Sequence, residues 1–355
     1  MPINVFDFFS GCGGTSKGFE LAGMKIVWAI DNDPYASRSF RKNFPITHFE
    51  ESDISRIPLE SLADFVEECG TEPLLFSGCA PCQPYSKQNK QDNPHDLRRG
   101  LLDQFSRFVE LYTPHYVFVE NVPGLQRVPP NEASPFGNFL SMLKRNEYLY
   151  QYKVIDAQVY GVPQRRHRLV LIASRIGNIE FPTRTHGRGT ENPDYSTVRE
   201  WIENYPPLNA GEAHPEIPNH QAARITERNL ERLRHTPSGG DRRSWPEELR
   251  LRCHNNHNGH TDVYGRLDWD KPASCLTTKC TSISNGRFGH PEQDRAISAR
   301  EAASLQTFPD SFVFEGGVSL ISQQIGNAVP VLLAQRFGEH FVQHYGRYVS
   351  NSKNG

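Results

Sequence analysis

Two residues that could do covalent chemistry stand at the ends of apolar runs. Cys82 closes "SGCAPC" just beyond the run "PLLFSG" (73–78), and Glu120 ends the run "YVFVE" (116–120). A thiol nucleophile with a neighbouring carboxyl is an arrangement for nucleophilic catalysis with proton transfer. Pro81 restricts the backbone before Cys82, and the polar loop 83–96 behind it could close over a substrate. A single cysteine is by default a small buried hydrophobe, which is the reading that suits Cys79. The "CAPC" spacing also admits a redox or zinc reading, yet no second pair at ligand spacing accompanies it.

A second constellation sits at the N-terminus. "FDFFSGCGGTSKGFELAG" (6–23) reads as strand, glycine turn and helix, with Gly11, Gly13, Gly14 and Gly18. Such glycines let the backbone turn sharply and approach a ligand whose polar end meets the helix N-terminus. The next apolar run ends in Asp31, seventeen residues after Gly14, where a carboxylate suits the hydroxyls of a ribose. The loop alone leaves NAD and S-adenosylmethionine both open. In "YGVPQRRHRLVLIAS" (160–174), Gln164, Arg166 and Arg168 alternate into an apolar run and are expected to share one face. An arginine pair there suits an electron-rich ring or a phosphate.

The elements that must position these groups alternate along the first 175 residues. Short apolar runs at 5–9, 25–30, 73–78, 116–120 and 168–174 read as strands. Between them Leu101, Leu102, Phe105, Phe108, Val109 and Tyr112 share a helical face, as do Phe136, Phe139, Leu140 and Leu143. The alternation predicts an α/β fold, Rossmann-like, with a mostly parallel sheet between helices. The catalytic and cofactor-binding domain is expected to span 1–180 and 298–355. The segment 181–297 is expected to form a smaller irregular domain. From 181 to 270 there is no lysine, and residues 220–266 hold nine arginines against six acids.

Composition excludes several classes. With 37% hydrophobic and 23% charged residues and a net charge of −2, the 355-residue chain reads as an ordinary soluble protein. No run approaches the roughly 18 apolar residues of a membrane span. The N-terminus shows no basic leader, and seven irregularly spaced cysteines point to a reducing compartment.

Taken in order, "FSGCGG", "APCQPYS", "ENV" (120–122), "QRRHR" (164–168), "RLDWDKPASCLTT" (266–278) and "QQIGNAVP" (323–330) resemble the DNA (cytosine-5)-methyltransferase family, over residues 5 to about 340. One departure is "IDND", where the family has Glu, often followed by an aromatic. The resemblance implies S-adenosylmethionine as cofactor, contacted by Phe9, Gly11, Cys12, Gly14, Asp31, Asp53, Ile54, Pro81, Leu102, Asn327 and Ala328. It implies that Cys82 adds to carbon 6 of a flipped cytosine and that Glu120 holds the ring nitrogen. Arg166 would bind the base carbonyl, with Arg168 packed beside it. Ser86, Gln164, Arg242 and Arg243 become candidate DNA contacts, with recognition assigned to 181–297, and no metal is expected. "CHNNHNGH" (253–260) then reads as a DNA-facing loop rather than a metal site. The expected partner is double-stranded DNA, with a cognate restriction endonuclease a candidate second partner, for a cytoplasmic monomer. A tRNA cytosine-5 methyltransferase would share every catalytic block.

Overall fold

The computed structural model describes residues 2–80, 100–124, 134–251 and 262–354. Pro81, Cys82, Ser86, the loop 83–96 and the stretch 253–260 lie outside the described residues. Seven strands form one sheet: β1 (Asn4–Phe8), β2 (Lys25–Asp31), β3 (His48–Glu51), β4 (Leu74–Gly78), β5 (Tyr116–Asn121), β6 (Leu149–Asp156) and β7 (His167–Ser174). The helices of the first half are α1 (Gly14–Leu21), α2 (Pro34–Asn43), α3 (Ala63–Glu68), α4 (Leu101–Tyr112) and α5 (Pro135–Arg145). Those of the second half are α6 (Val198–Ile202), α7 (Glu227–Arg234), α8 (Ala299–Leu305), α9 (Val318–Asn327) and α10 (Val331–Asn354). None of these helices is long and apolar enough to cross a membrane.

The chain divides into two compact units. The first holds residues 1–156, 167–183 and 331–355, and the second holds 157–166 and 184–330. Residues 298–330, with α8 and α9, therefore group with the irregular segment and not with the sheet, where the sequence reading had put them.

In the first unit the strand order is β3-β2-β1-β4-β5-β7-β6. Strands β1 to β5 run parallel, whereas β7 is antiparallel to both β5 and β6. The order reverses between β1 and β4, so a crevice opens at the carboxyl ends of the strands, where such sheets bind ligands. Because β7 runs backwards, its first residues lie at the same edge as the last residues of β5. The inner strands β1, β4 and β5 are buried on both faces. Phe6, Phe8 and Phe76 pack with Phe105 and Phe108 of α4 on one side. Phe118 meets Phe19 of α1 and Phe337 of α10 on the other. Five of the seven strands coincide with the expected apolar runs. The two that sequence reading missed, β3 and β6, are the sheet's outer strands, with charged or polar residues interleaved.

The second unit contains short helices and long irregular connections, and its interior is cross-linked by arginine. Arg295 and Glu301, at most 1% exposed, form a two-point ion pair at 2.7 Å and 2.7 Å. Arg266 donates to the carbonyls of Leu233, Thr236, His290 and Gln293 and pairs with Asp294. Arg300 reaches the carbonyls of Pro218, Pro309 and Phe312. Where no ladder satisfies the backbone, a planar guanidinium with five donors can serve several carbonyls at once.

Close packing of α1 on α10 depends on Gly18, since a Cβ there would collide with the Val331 carbonyl oxygen and the Ala334 methyl. Gly18→Ala is expected to destabilise the protein by about 1–3 kcal/mol through overpacking, read as a lower midpoint in urea titration.

Candidate active site

The turn after β1 has an unusual backbone. Phe9 (φ 59°), Gly11 (φ 54°) and Gly13 (φ 100°) all lie in the left-handed region. A Cβ on Gly13 would sit 2.5 Å from the Phe44 ring, so both conformation and packing require glycine there. A Cβ on Gly11 would meet nothing within 4 Å, so the turn faces open ground. Asp31, at the end of β2, braces this turn. Its Oδ2 accepts from the Gly11 N–H at 2.8 Å and its Oδ1 from the Asp33 N–H at 2.9 Å. A carboxylate has about four acceptor positions, so others remain. Burial raises the pKa of Asp31, and these backbone donors oppose the rise. Asp53, beyond β3, accepts from the Ser55 N–H and hydroxyl, both on Oδ1, and these bonds hold its carboxyl below the usual range.

This set fits a nucleoside cofactor. Ribose hydroxyls and an exocyclic amine need acceptors, which Asp31 and Asp53 offer. A carboxylate needs N–H groups, and α1 has Gly13 at its N-cap, with no side-chain cap. Gly14 is buried at that helix start. Cys12 is buried and its thiol is pushed up to about 12 by that burial, so it is a neutral wall of the turn. Ile54 and Leu102 lie in the hydrophobic core, so any contact they make comes from its outer boundary.

At the end of β5, Glu120 is 7% exposed. Glu120 is opposite Val170 in the β5–β7 register, so Arg168, two residues before Val170, shares its face. Arg168 Nε lies 2.9 Å from Glu120 Oε1. The approach is off the N–H axis, and Glu120 Oε1 has no aligned hydrogen-bond donor. The next residue, Asn121, donates to the Ala80 carbonyl at 3.0 Å. That bond fixes the start of the segment leading to Cys82 beside the end of β5. Cys79 Sγ lies 3.6 Å from Thr15 Oγ1, and burial and the Glu120 carboxylate push its thiol up. Cys79 is thus a neutral thiol within the wall.

Several expectations change. Arg166 is 1% exposed, and its guanidinium donates to the carbonyls of Leu276, Gly326 and Ala328. It therefore has a structural role in place of the base contact expected of it. Gln164 is fully buried, its amide donating to the Leu305 carbonyl and Gln306 and accepting from the Leu276 N–H. It is not placed to touch DNA. The shared face expected of 164, 166 and 168 fails because β7 begins only at His167. Arg243 is held in a two-point ion pair by Asp241, at 2.9 Å and 2.7 Å, and these bonds lower the Asp241 carboxyl to about 2. Arg242 is buried. Neither is a free cation. Asn327, at the end of α9, is exposed, and the Ala328 carbonyl accepts from both Arg166 and Gln306.

A reversed parallel sheet with a glycine turn, acids after β2 and β3, and a buried Glu–Arg pair after β5 defines an S-adenosylmethionine-dependent methyltransferase. The comparisons narrow this to one family. The model of the C-5 cytosine-specific DNA methylase family matches residues 3–343, and the chain belongs to that family. It is 40% identical over 337 residues to the type II methylase M.HgiDII of Herpetosiphon aurantiacus, covering 93% of this chain and 92% of that one. It is 34% identical to the type II methyltransferase M1.HphI of Haemophilus parahaemolyticus, covering 96% of this chain and 86% of the relative. In fold it matches a chain assigned as a DNA modification methyltransferase of an Escherichia coli prophage. There the TM-score is 0.75 at 21% identity, covering 96% and 99% of the two chains. The protein is a DNA (cytosine-5)-methyltransferase that uses S-adenosylmethionine.

The two arginines should separate by experiment. Arg168→Lys is expected to lower kcat by about 10²-fold or more, as for loss of a positioned charge donor, with an unchanged melting temperature. Arg166→Met strands three carbonyls and should cost roughly 2–5 kcal/mol of stability, seen in urea titration.

Proposed function

We propose that the enzyme methylates a cytosine flipped out of duplex DNA, through a covalent adduct of Cys82. The observation that carries this reading is Glu120: a buried carboxylate with an oxygen lacking an aligned donor, paired with Arg168 at the edge of the sheet. Cytosine presents to such a site what it needs, an exocyclic amine that donates and a carbonyl that accepts.

Carbon 5 of cytosine is a weak nucleophile until the ring's conjugation is broken. The Cys82 thiolate adds to carbon 6, and Glu120 holds ring nitrogen 3 in protonated form as charge builds there. Arg168 takes the base carbonyl, the part that the sequence reading gave to Arg166. S-adenosylmethionine, when bound, would supply an electrophilic methyl group for the activated carbon 5, its sulfur leaving as a neutral thioether. Loss of the carbon-5 proton and expulsion of the Cys82 thiolate then restore the ring. Phe9, Gly11, Gly14, Asp31 and Asp53 would hold the cofactor from the first unit. A base inside a duplex cannot reach this edge, so extrusion precedes chemistry.

Target recognition belongs to residues 181–297, which lack sheet-building periodicity and are free to vary in shape. The similarity to type II enzymes supports a role beside a restriction endonuclease of matching specificity, and the reading is completed by a monomer acting on cytoplasmic DNA.

Cys82→Ala is expected to abolish methyl transfer from labelled S-adenosylmethionine to duplex DNA while cofactor binding by calorimetry persists. Glu120→Gln should slow transfer by about 10²–10⁴-fold, the range of a lost acid–base partner. Near-normal transfer by Cys82→Ala would sink the adduct mechanism, and labelling of tRNA in preference to duplex DNA would move the substrate.

A further inference from the structure

The arginine-rich second unit invites the assumption that its arginines face nucleic acid, yet most are committed internally. Arg166, Arg266, Arg295 and Arg300 are buried on carbonyls or acids. Arg199 pairs with Glu203 and Asp270, Arg234 with Glu227 and Asp294, Arg243 and Arg287 with Asp241. Lys271 pairs with Asp268. Of the exposed cations left without such a partner among the described residues, which also include Arg165, Arg184 and Arg188, two share one cleft. Arg224 and Lys279 are exposed, and neither side chain has an ion pair or hydrogen bond among the described residues.

Both line the same cleft, of about 500 Å³, within this unit. Apart from Val318 the remaining lining is polar or small, with Thr281, Ser282, Asn285 and Ser319 among it, and it contains no carboxylate among the described residues. Ser282 Oγ accepts from the Asn285 amide at 2.9 Å and shares a hydrogen bond with the Ser284 hydroxyl at 3.2 Å. The Ser319 hydroxyl is exposed in the first turn of α9. The cleft thus offers two uncompensated positive charges and several donors.

We infer that this cleft is a phosphate-binding site for the DNA backbone, with Arg224 and Lys279 as its charged contacts. This rests on the enzyme acting on duplex DNA and adds residues that position the duplex without reading its sequence. Such contacts fix register and supply salt-dependent affinity, while base edges supply discrimination. Arg242 and Arg243, the candidates from sequence, give way to this pair because Asp241 and burial already occupy them.

The test uses the full-length enzyme and fluorescent duplexes, one holding the methylated site mapped by bisulfite sequencing and one scrambled. Arg224→Gln and Lys279→Gln are each expected to weaken both duplexes by the same factor, roughly three- to ten-fold. Each should lower the slope of log K against log salt by about one. KM for DNA should rise while kcat at saturating DNA and the melting temperature stay at the wild-type values. Arg243→Gln, whose guanidinium is already paired, should leave the slope unchanged. An unaltered slope in both cleft variants overturns the proposal, and so does a loss confined to the cognate duplex, which would make these residues base readers. Wild-type methylation of the duplex is scored in parallel, so failure of the cleft and failure of the DNA assignment are read separately.

Discussion

Every buried backbone carbonyl and N–H must find a partner, and the two units meet that constraint by different means. In the first, the ladders of a seven-stranded sheet do it, and the strands can be almost wholly apolar. In the second, side chains replace ladders. Arg266 alone serves the carbonyls of Leu233, Thr236, His290 and Gln293, tying together segments that are far apart in sequence. The arginine excess of this region is first a solution to a folding problem. Lysine, with one compact ammonium, could not replace it at such sites.

The same constraint creates the active edge. Parallel strands β1, β2, β4 and β5 all release their chains at one end, so the glycine turn, Asp31, Ala80 and Glu120 arrive together. The antiparallel β7 completes the set by entering where the others leave. Arg168 therefore reaches Glu120 at the very start of its strand, and a parallel β7 would have carried it to the opposite edge. Asn121 links the end of β5 to the Ala80 backbone, so the acid and the chain approaching Cys82 are fixed to each other by one hydrogen bond.

Much of this was legible in the sequence because burial on both faces leaves an unbroken apolar run. The five runs that read as strands are among the most buried segments, and the helix face from Leu101 to Tyr112 packs as its spacing requires. β3 and β6 were not legible, since an outer strand alternates with polar residues and resembles a loop. The structural place of Arg166 was missed for a related reason. The two-residue spacing of Arg166 and Arg168 suggests a shared face, but only a strand enforces that period, and β7 starts between them. The partners of Arg166 lie over one hundred residues away, at Leu276, Gly326 and Ala328. No local pattern announces contacts at that separation.

Net charge proves a poor guide to partners for the same reason. A chain of net charge −2 does not look like a DNA-binding protein, and its arginine-rich stretch looks like one for the wrong cause. What matters to a phosphate is the uncompensated charge within about a Debye length, roughly 8–10 Å in physiological salt. An arginine held by Asp241 contributes almost nothing at that range, whereas two free cations in a cleft without carboxylates contribute fully. The charges that can bear on a phosphate are those that folding left unpaired, and they can be identified only after the paired ones have been assigned.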